Sequence, residues 1–103
     1  MKVYIAGPMT NLPQFNSPAF FAAAERLIDA GDVPLNPALL PDSLSQKDLI
    51  SICMPMLQCT DAIYLLDGWK SSAGATAEYH LAYKLGLTVM TQHDVSVHST
   101  KQG

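Results

Sequence analysis

In the stretch GATAEYHLAYKLG, residues 74–86, positions three and four apart put Gly74, Ala75, Glu78, Leu81, Ala82 and Leu85 on one face of a helix. That stripe is the one a helix turns inward, and Glu78 is its only charged member. A carboxylate taken into an apolar setting alone is costly, so its presence asks for a hydrogen-bonding group, a helix rotation that exposes it, or a function. The chemistry open to it is that of a nucleophile or a general acid or base, kept ionised by nearby N–H groups and the positive end of the helix. Bonding to backbone N–H groups or to Tyr4 would satisfy the same residue without any function, and periodicity leaves both readings open.

The elements that must position Glu78 follow from the rest of the chain. KVYIAG, residues 2–7, is a short apolar run closed by glycine and Pro8, the pattern of a buried first strand running into the loop GPMTNLPQFN. Ser17 is placed to cap a helix with Pro18 in its first turn, an inner face of Phe20, Phe21, Ala24, Leu27 and Ile28, and an end at Gly31. DVPLNP, residues 32–37, reads as a second strand, and Pro34 assigns it to a sheet edge because proline cannot donate to a ladder. Ser45 and Asp48 have the spacing of a capping box opening a helix from Gln46 to Cys59, which Pro55 should kink or end early. DAIYLL, residues 61–66, is the clearest buried strand; the loop DGWKSSAG leads from it into the Glu78 helix, and LTVMT, residues 87–91, is a last strand. Beyond it the chain is polar, and the alternation at Val95 and Val97 fits either an edge strand or a frayed end.

Strands that alternate with helices, each too apolar to have a wet face, give a three-layer α/β/α domain over residues 1–92. Its sheet is four- to five-stranded, mainly parallel and flavodoxin-like or Rossmann-like, with right-handed crossovers, and residues 93–103 form a polar tail. In such a sheet the ligand crevice lies beyond the carboxyl ends of the strands. Gly7, Pro8, Met9, Thr10 and Asn11 follow the first strand there, Asp67 to Ser72 follow the third, and the Glu78 helix starts at this edge. Asp67 is either placed for chemistry or part of a DG turn, and Trp69 either stacks on a nucleobase or covers the core. Tyr4 is either a core residue or the orienter of a carboxylate. The GPMT loop offers backbone N–H groups to an anion but contains no Lys, Arg or Walker-type pattern. Asp61, at the far end of its strand, reads as a strand-start residue.

Composition narrows the partners. At 103 residues and 49% apolar the chain builds one core without disulfides or metal. A net charge of −3, with Lys2, Arg26, Lys47, Lys70, Lys84 and Lys101 scattered, argues against a nucleic-acid polymer as partner. No run reaches membrane-spanning length, and no basic-then-apolar leader precedes the first strand, so no membrane is expected and the expected compartment is the cytoplasm. Cys53 and Cys59, six apart, face different ways on a helix, which suits reduced thiols with packing roles. His80, His93 and His98 lack ligand spacing, so neither metal nor other cofactor is expected.

Taken together in order, KVYIAGPMT, CTDAIYLLDGW and GATAEYHLAYKLG resemble the nucleoside 2-deoxyribosyltransferase superfamily, over roughly residues 2 to 91. The nearest likeness is to its small DUF4406 group, often found in phage and prophage genomes. The most specific feature is the ordered set of a first strand with Tyr and Gly, a third strand, and Gly-x-x-x-Glu opening a helix. The resemblance implies that Glu78 is the nucleophile on the anomeric carbon of a 2-deoxyribosyl group, in a double displacement like that of a retaining glycosidase. It implies that Tyr4 hydrogen-bonds that nucleophile, that Gly7 and Gly74 let backbone approach the sugar or phosphate, and that the protein is a homo-oligomer. Pro8, Met9 and Trp69 fall among the substrate-binding positions. One departure is plain: where many relatives carry an Asp eight residues before Asp61, this chain has Cys53, a poorer acceptor that is largely neutral near pH 7. Asp67 is the candidate to take over part of that role. The loop also lacks the arginine with which some relatives hold a 5′-phosphate.

Two readings follow. The first is an enzyme that cleaves or exchanges the N-glycosidic bond of a deoxynucleoside or its monophosphate. The alternative is a nucleotide-binding module, sensing or sequestering its ligand, that keeps the crevice but has lost turnover. A protein-interaction role, with Met54-Pro55-Met56 as adaptable apolar surface, is the third possibility.

Overall fold

A computed structural model describes residues 1–10 and 12–92, which form one compact three-layer α/β/α domain. The elements alternate: β1 (Lys2–Ala6), α1 (Ser17–Asp29), β2 (Val33–Leu35), α2 (Gln46–Gln58), β3 (Ala62–Leu65), α3 (Ala73–Lys84) and β4 (Thr88–Thr91). All pairings are parallel and the strand order is β2-β1-β3-β4. The chain moves outward from β1 to β2, then crosses back to β3 and on to β4. The order therefore reverses between β1 and β3, whose carboxyl ends are held level by the pairs Val3–Ala62 and Ala6–Leu65. As Pro34 requires, β2 is an edge strand. The alternation at Val95 and Val97 lies outside the described residues.

Side-chain alternation along β1 and β3 divides the core. Val3, Ile5, Tyr64 and Leu66 face α1 and pack on its Phe20, Ala23, Ala24 and Leu27. Tyr4, Ala6, Ile63 and Leu65 face the other way, onto Cys53 and Leu57 of α2 and Ala75 and Ala82 of α3. Two small residues on the buried face of α3 bring that helix close to the sheet, so a side chain between them is drawn inward as well.

Several expectations are corrected. The buried stripe of α1 is narrower than the pattern suggested: Phe21 and Ile28, about 100° round from Phe20 and Leu27, are exposed, and Ala23 takes the inner place. Asn16, not Ser17, holds the N-cap position of α1, and Ser17 Oγ donates to the Gln14 carbonyl at 2.7 Å. On α3 both ends of the proposed stripe, Gly74 and Leu85, are exposed, so the inward face is Ala75, Glu78 and Ala82 with Leu81 at its margin. Pro55 does not end α2, which continues to Gln58. β4 does have a wet face, with Thr88 and Val89 exposed, because it is the second edge of the sheet. The Ser45–Asp48 capping box forms, each side chain accepting from the other residue's backbone N–H at 3.1 Å.

Candidate functional site

Glu78 sits in the second turn of α3, with Tyr4 of β1 and Cys53 of α2 beside it. Tyr4 Oη donates to Glu78 Oε2 at 2.7 Å, a contact between residues 74 apart in sequence. Tyr4 is fully buried and Cys53 nearly so, whereas Glu78 is half-buried. Among the described residues Oε1 of Glu78 accepts no hydrogen bond, and no buried side-chain oxygen or nitrogen lacks a partner. Oε1 is therefore open to solvent while Oε2 is anchored.

The electrostatics follow from burial. Burial pushes the Glu78 carboxyl from its ordinary 4.5 to about 7, against the opposing pull of the Tyr4 hydrogen bond. Burial, reinforced by the Glu78 charge, raises the Tyr4 phenol far enough that it stays a donor. The Cys53 thiol is also pushed up by burial and by Glu78, although its hydrogen bond with Tyr4 opposes the shift, so it stays a neutral thiol. The cluster thus contains one group that changes charge near neutrality, held by two that do not.

Around this cluster the loops are fixed by polar contacts that no periodicity marks. Gln46 Nε2 at the start of α2 donates to Thr10 Oγ1 at 3.0 Å, and Asn16 Nδ2 donates to the Pro8 carbonyl at 2.9 Å, tying down the loop after β1. Gln14, Phe15 and Asn16 form a left-handed turn with φ of 53°, 53° and 61° and no glycine to announce it. Gly7 has a structural reason to be glycine: a methyl group there would meet Leu66 Cβ at 2.8 Å. Pro8 packs near Gly68, Met9 packs against the α1-side core, and Gly74 opens α3 with nothing closer to an added methyl than Ser72 Oγ at 4.0 Å.

Asp67 and Trp69 belong to a neighbouring feature. They line a cavity of about 540 Å³ beside β4, together with Lys70, Tyr79 and the aliphatic floor of Leu65 and Val89. Its lining does not include Glu78, Tyr4 or Cys53. Asp67 is exposed, and its backbone N–H donates to Gln92 Oε1 at 2.8 Å. The third strand's loop thus delivers Asp67 and Trp69 to the cavity beside β4, where Trp69 also packs on the α2- and α3-side core. Asp61 is a strand-start residue, accepting from the Lys2 N–H at 2.9 Å.

The family model described as a domain of unknown function (DUF4406) matches residues 1–91. The chain belongs to the DUF4406 family. Comparison with curated proteins finds no match. In this DUF4406 protein the matched span contains the whole Tyr4–Cys53–Glu78 cluster and every wall of the cavity beside β4. Among its described residues no helix is long and apolar enough to cross a membrane.

Chemically, the cluster offers an oriented carboxylate with one free oxygen, able to attack an electron-poor carbon or to move a proton near neutral pH. Tyr79, missed in the sequence because it falls beside the inward stripe of α3, packs its ring 4.9 Å from that of Trp69. Lys70, which follows Trp69, places its Nζ 5.8 Å from the indole centre.

Proposed function

We propose that this DUF4406 protein cleaves or transfers the 2-deoxyribosyl group of a deoxynucleoside or its monophosphate, with Glu78 as nucleophile. Glu78 Oε1 forms a bond to the anomeric carbon as the N-glycosidic bond breaks, and the bonding pair leaves on the base nitrogen, which takes a proton from solvent. A second base or water then displaces Glu78, restoring the carboxylate. Tyr4 acts throughout as an orienting donor to the other oxygen. The observation that carries this reading is the division of labour within one carboxylate, Oε2 bound to Tyr4 at 2.7 Å and Oε1 without a hydrogen bond. The ordered motifs that resemble the deoxyribosyltransferase superfamily support the choice of substrate. On the same reading the protein works in the cytoplasm as a homo-oligomer.

The test is incubation with the deoxynucleosides and their monophosphates at mildly alkaline pH, with and without a free acceptor base, followed by chromatography for released or exchanged base. Release or exchange that Glu78→Gln abolishes is expected. Silence from every donor would overturn the enzymatic reading.

Cys53 favours a second reading, a nucleotide-binding module without turnover. It places a neutral thiol against Tyr4 where a second carboxylate would assist the leaving base. Thermal stabilisation by a deoxynucleotide with no base released would select this reading, since a ligand bound to the folded state raises the melting temperature by mass action.

A further inference from the structure

We infer that the β4 flank of the domain is a self-association surface. A second copy pairs its β4 antiparallel to this one about a two-fold axis, so that the two sheets become one and α3 packs beside its counterpart.

The two edges of the sheet are not protected alike. β2 is three residues long and carries Pro34, which blunts an edge because it has no N–H to offer an incoming strand. β4, Thr-Val-Met-Thr, has neither proline nor charge, and among the described residues no strand pairs with its outer side. Thr88 N donates to the Asp61 carbonyl at 3.1 Å, so Thr88 bonds toward β3 and the next residue, Val89, turns its own N–H and C=O to the open edge. Such an edge is a template for another strand. The helix above continues the surface. Tyr79 lines the cavity beside β4 with Val89, and Tyr83, one turn further along α3, sets its ring centre 6.3 Å from that of Tyr79 while standing 71% exposed.

That the occupant is a second copy follows from charge and register. On a chain of net charge −3, a two-fold contact that set like charges against each other would be opposed. Thr76, Tyr79 and Tyr83 on this side of α3, with Leu87 to Thr91 below, bring no charge to it. Side chains alternate between the faces of a sheet with a period of two, so antiparallel strands match only where residues of like face sit opposite. Val89 opposite Val89 of the second copy meets that condition. It also lets their outward N–H and C=O groups exchange two hydrogen bonds, and it sets the tyrosine rows of the two helices side by side. This goes beyond the homo-oligomer expected above by fixing its surface and symmetry, and it rests on β4 and α3, not on chemistry at Glu78.

Analytical ultracentrifugation of the wild type over a dilution series should show a reversible dimer, twice the 11.1 kDa of the chain. Val89→Lys puts an ammonium on the open edge and Tyr83→Glu sets carboxylates against each other; each should weaken the dimer roughly tenfold or more. Both positions are exposed, so the far-UV circular dichroism should stay that of the wild type. Ile28→Lys, at an exposed position of α1, should leave the dimer intact. Hydrogen exchange at the Val89 amide, followed by NMR in the wild type, should slow as protein concentration rises; this needs no variant and serves if a substituted chain fails to fold. A monomer, an assembly larger than a dimer, an undisturbed dimer in either flank variant, an equal loss in Ile28→Lys, or Val89 exchange that ignores concentration would each overturn the proposal. Mass and exchange are read without substrate, so the result stands independently of turnover at Glu78.

Discussion

Replacing Glu78 by glutamine should stabilise the protein, and only above the pH at which the carboxyl ionises. Glu78 titrates at about 7 in the fold and at 4.5 when unfolded, because burial disfavours its charged form. Between these values the folded chain holds a proton that the unfolded chain has lost, so stability is full below about pH 4.5 and declines until the pH passes about 7. At about 1.4 kcal/mol per pH unit the total loss is about 3 kcal/mol. Glutamine cannot ionise, and its carbonyl oxygen can still accept from Tyr4 Oη. Glu78→Gln should therefore match the wild type near pH 4 and exceed it by about 3 kcal/mol near pH 8, on the order of 15 °C in Tm for a domain of this size. Tyr4 and Cys53, the groups facing Glu78 from β1 and α2, are both pushed upward and stay neutral across this window. Urea unfolding at both pH values, taken as the mutant-minus-wild-type difference, cancels the titration of distant groups. A difference that does not change with pH would refute the claim that the carboxylate is held ionised at the expense of the fold.

Tyr4→Phe removes the hydrogen bond that holds the Glu78 carboxyl down, so the upper end of the pH-dependent stability window should move above 7, as seen in the same urea series. If base release is detected, its kcat/KM in the wild type should rise with pH and level off above about 7, since the nucleophile must be ionised; a rate that falls across this range would count against the assignment. Gly7→Ala should lower stability by about 1–3 kcal/mol, because the new methyl meets Leu66 Cβ at 2.8 Å and Cδ1 at 2.9 Å, and a denaturant midpoint measures this directly. Ser45→Ala should cost about 1 kcal/mol through loss of the capping box, with Asp48→Ala giving a similar loss and the double variant less than their sum.

The frame was legible because its signals are local. Apolar runs closed by Gly or Pro gave β1 and β3, Pro34 placed β2 at an edge, and Ser45 with Asp48 set the start of α2. What escaped depends on tertiary contact. Whether Phe21 or Ala23 faces the sheet depends on how α1 rolls against Val3 and Ile5, and a window of helix cannot contain that information. The left-handed turn at Gln14–Asn16 lacks the glycine that would mark it, and is held instead by Asn16 reaching back to Pro8. Asp67 follows its strand to the carboxyl edge of the sheet, as the pattern indicates, but that it lines the cavity beside β4 depends on how its loop turns, which no local pattern marks.

Glu78 is the instructive case, since local pattern and charge conflict there and no sequence window can resolve them. Ala75 and Ala82 pull that face of α3 against the sheet, which would strand a carboxylate. The resolution comes from Tyr4, whose place in β1 alternates with Val3 and Ile5 and so necessarily faces α2 and α3. One phenol supplies one hydrogen bond, enough to orient the acid but too little to offset burial, and the carboxyl is left titrating near 7. A purely structural acid would be better served by a second donor or an outward rotation of the helix. An acid left half satisfied, with one oxygen anchored and the other open, is the arrangement that a bound substrate would complete.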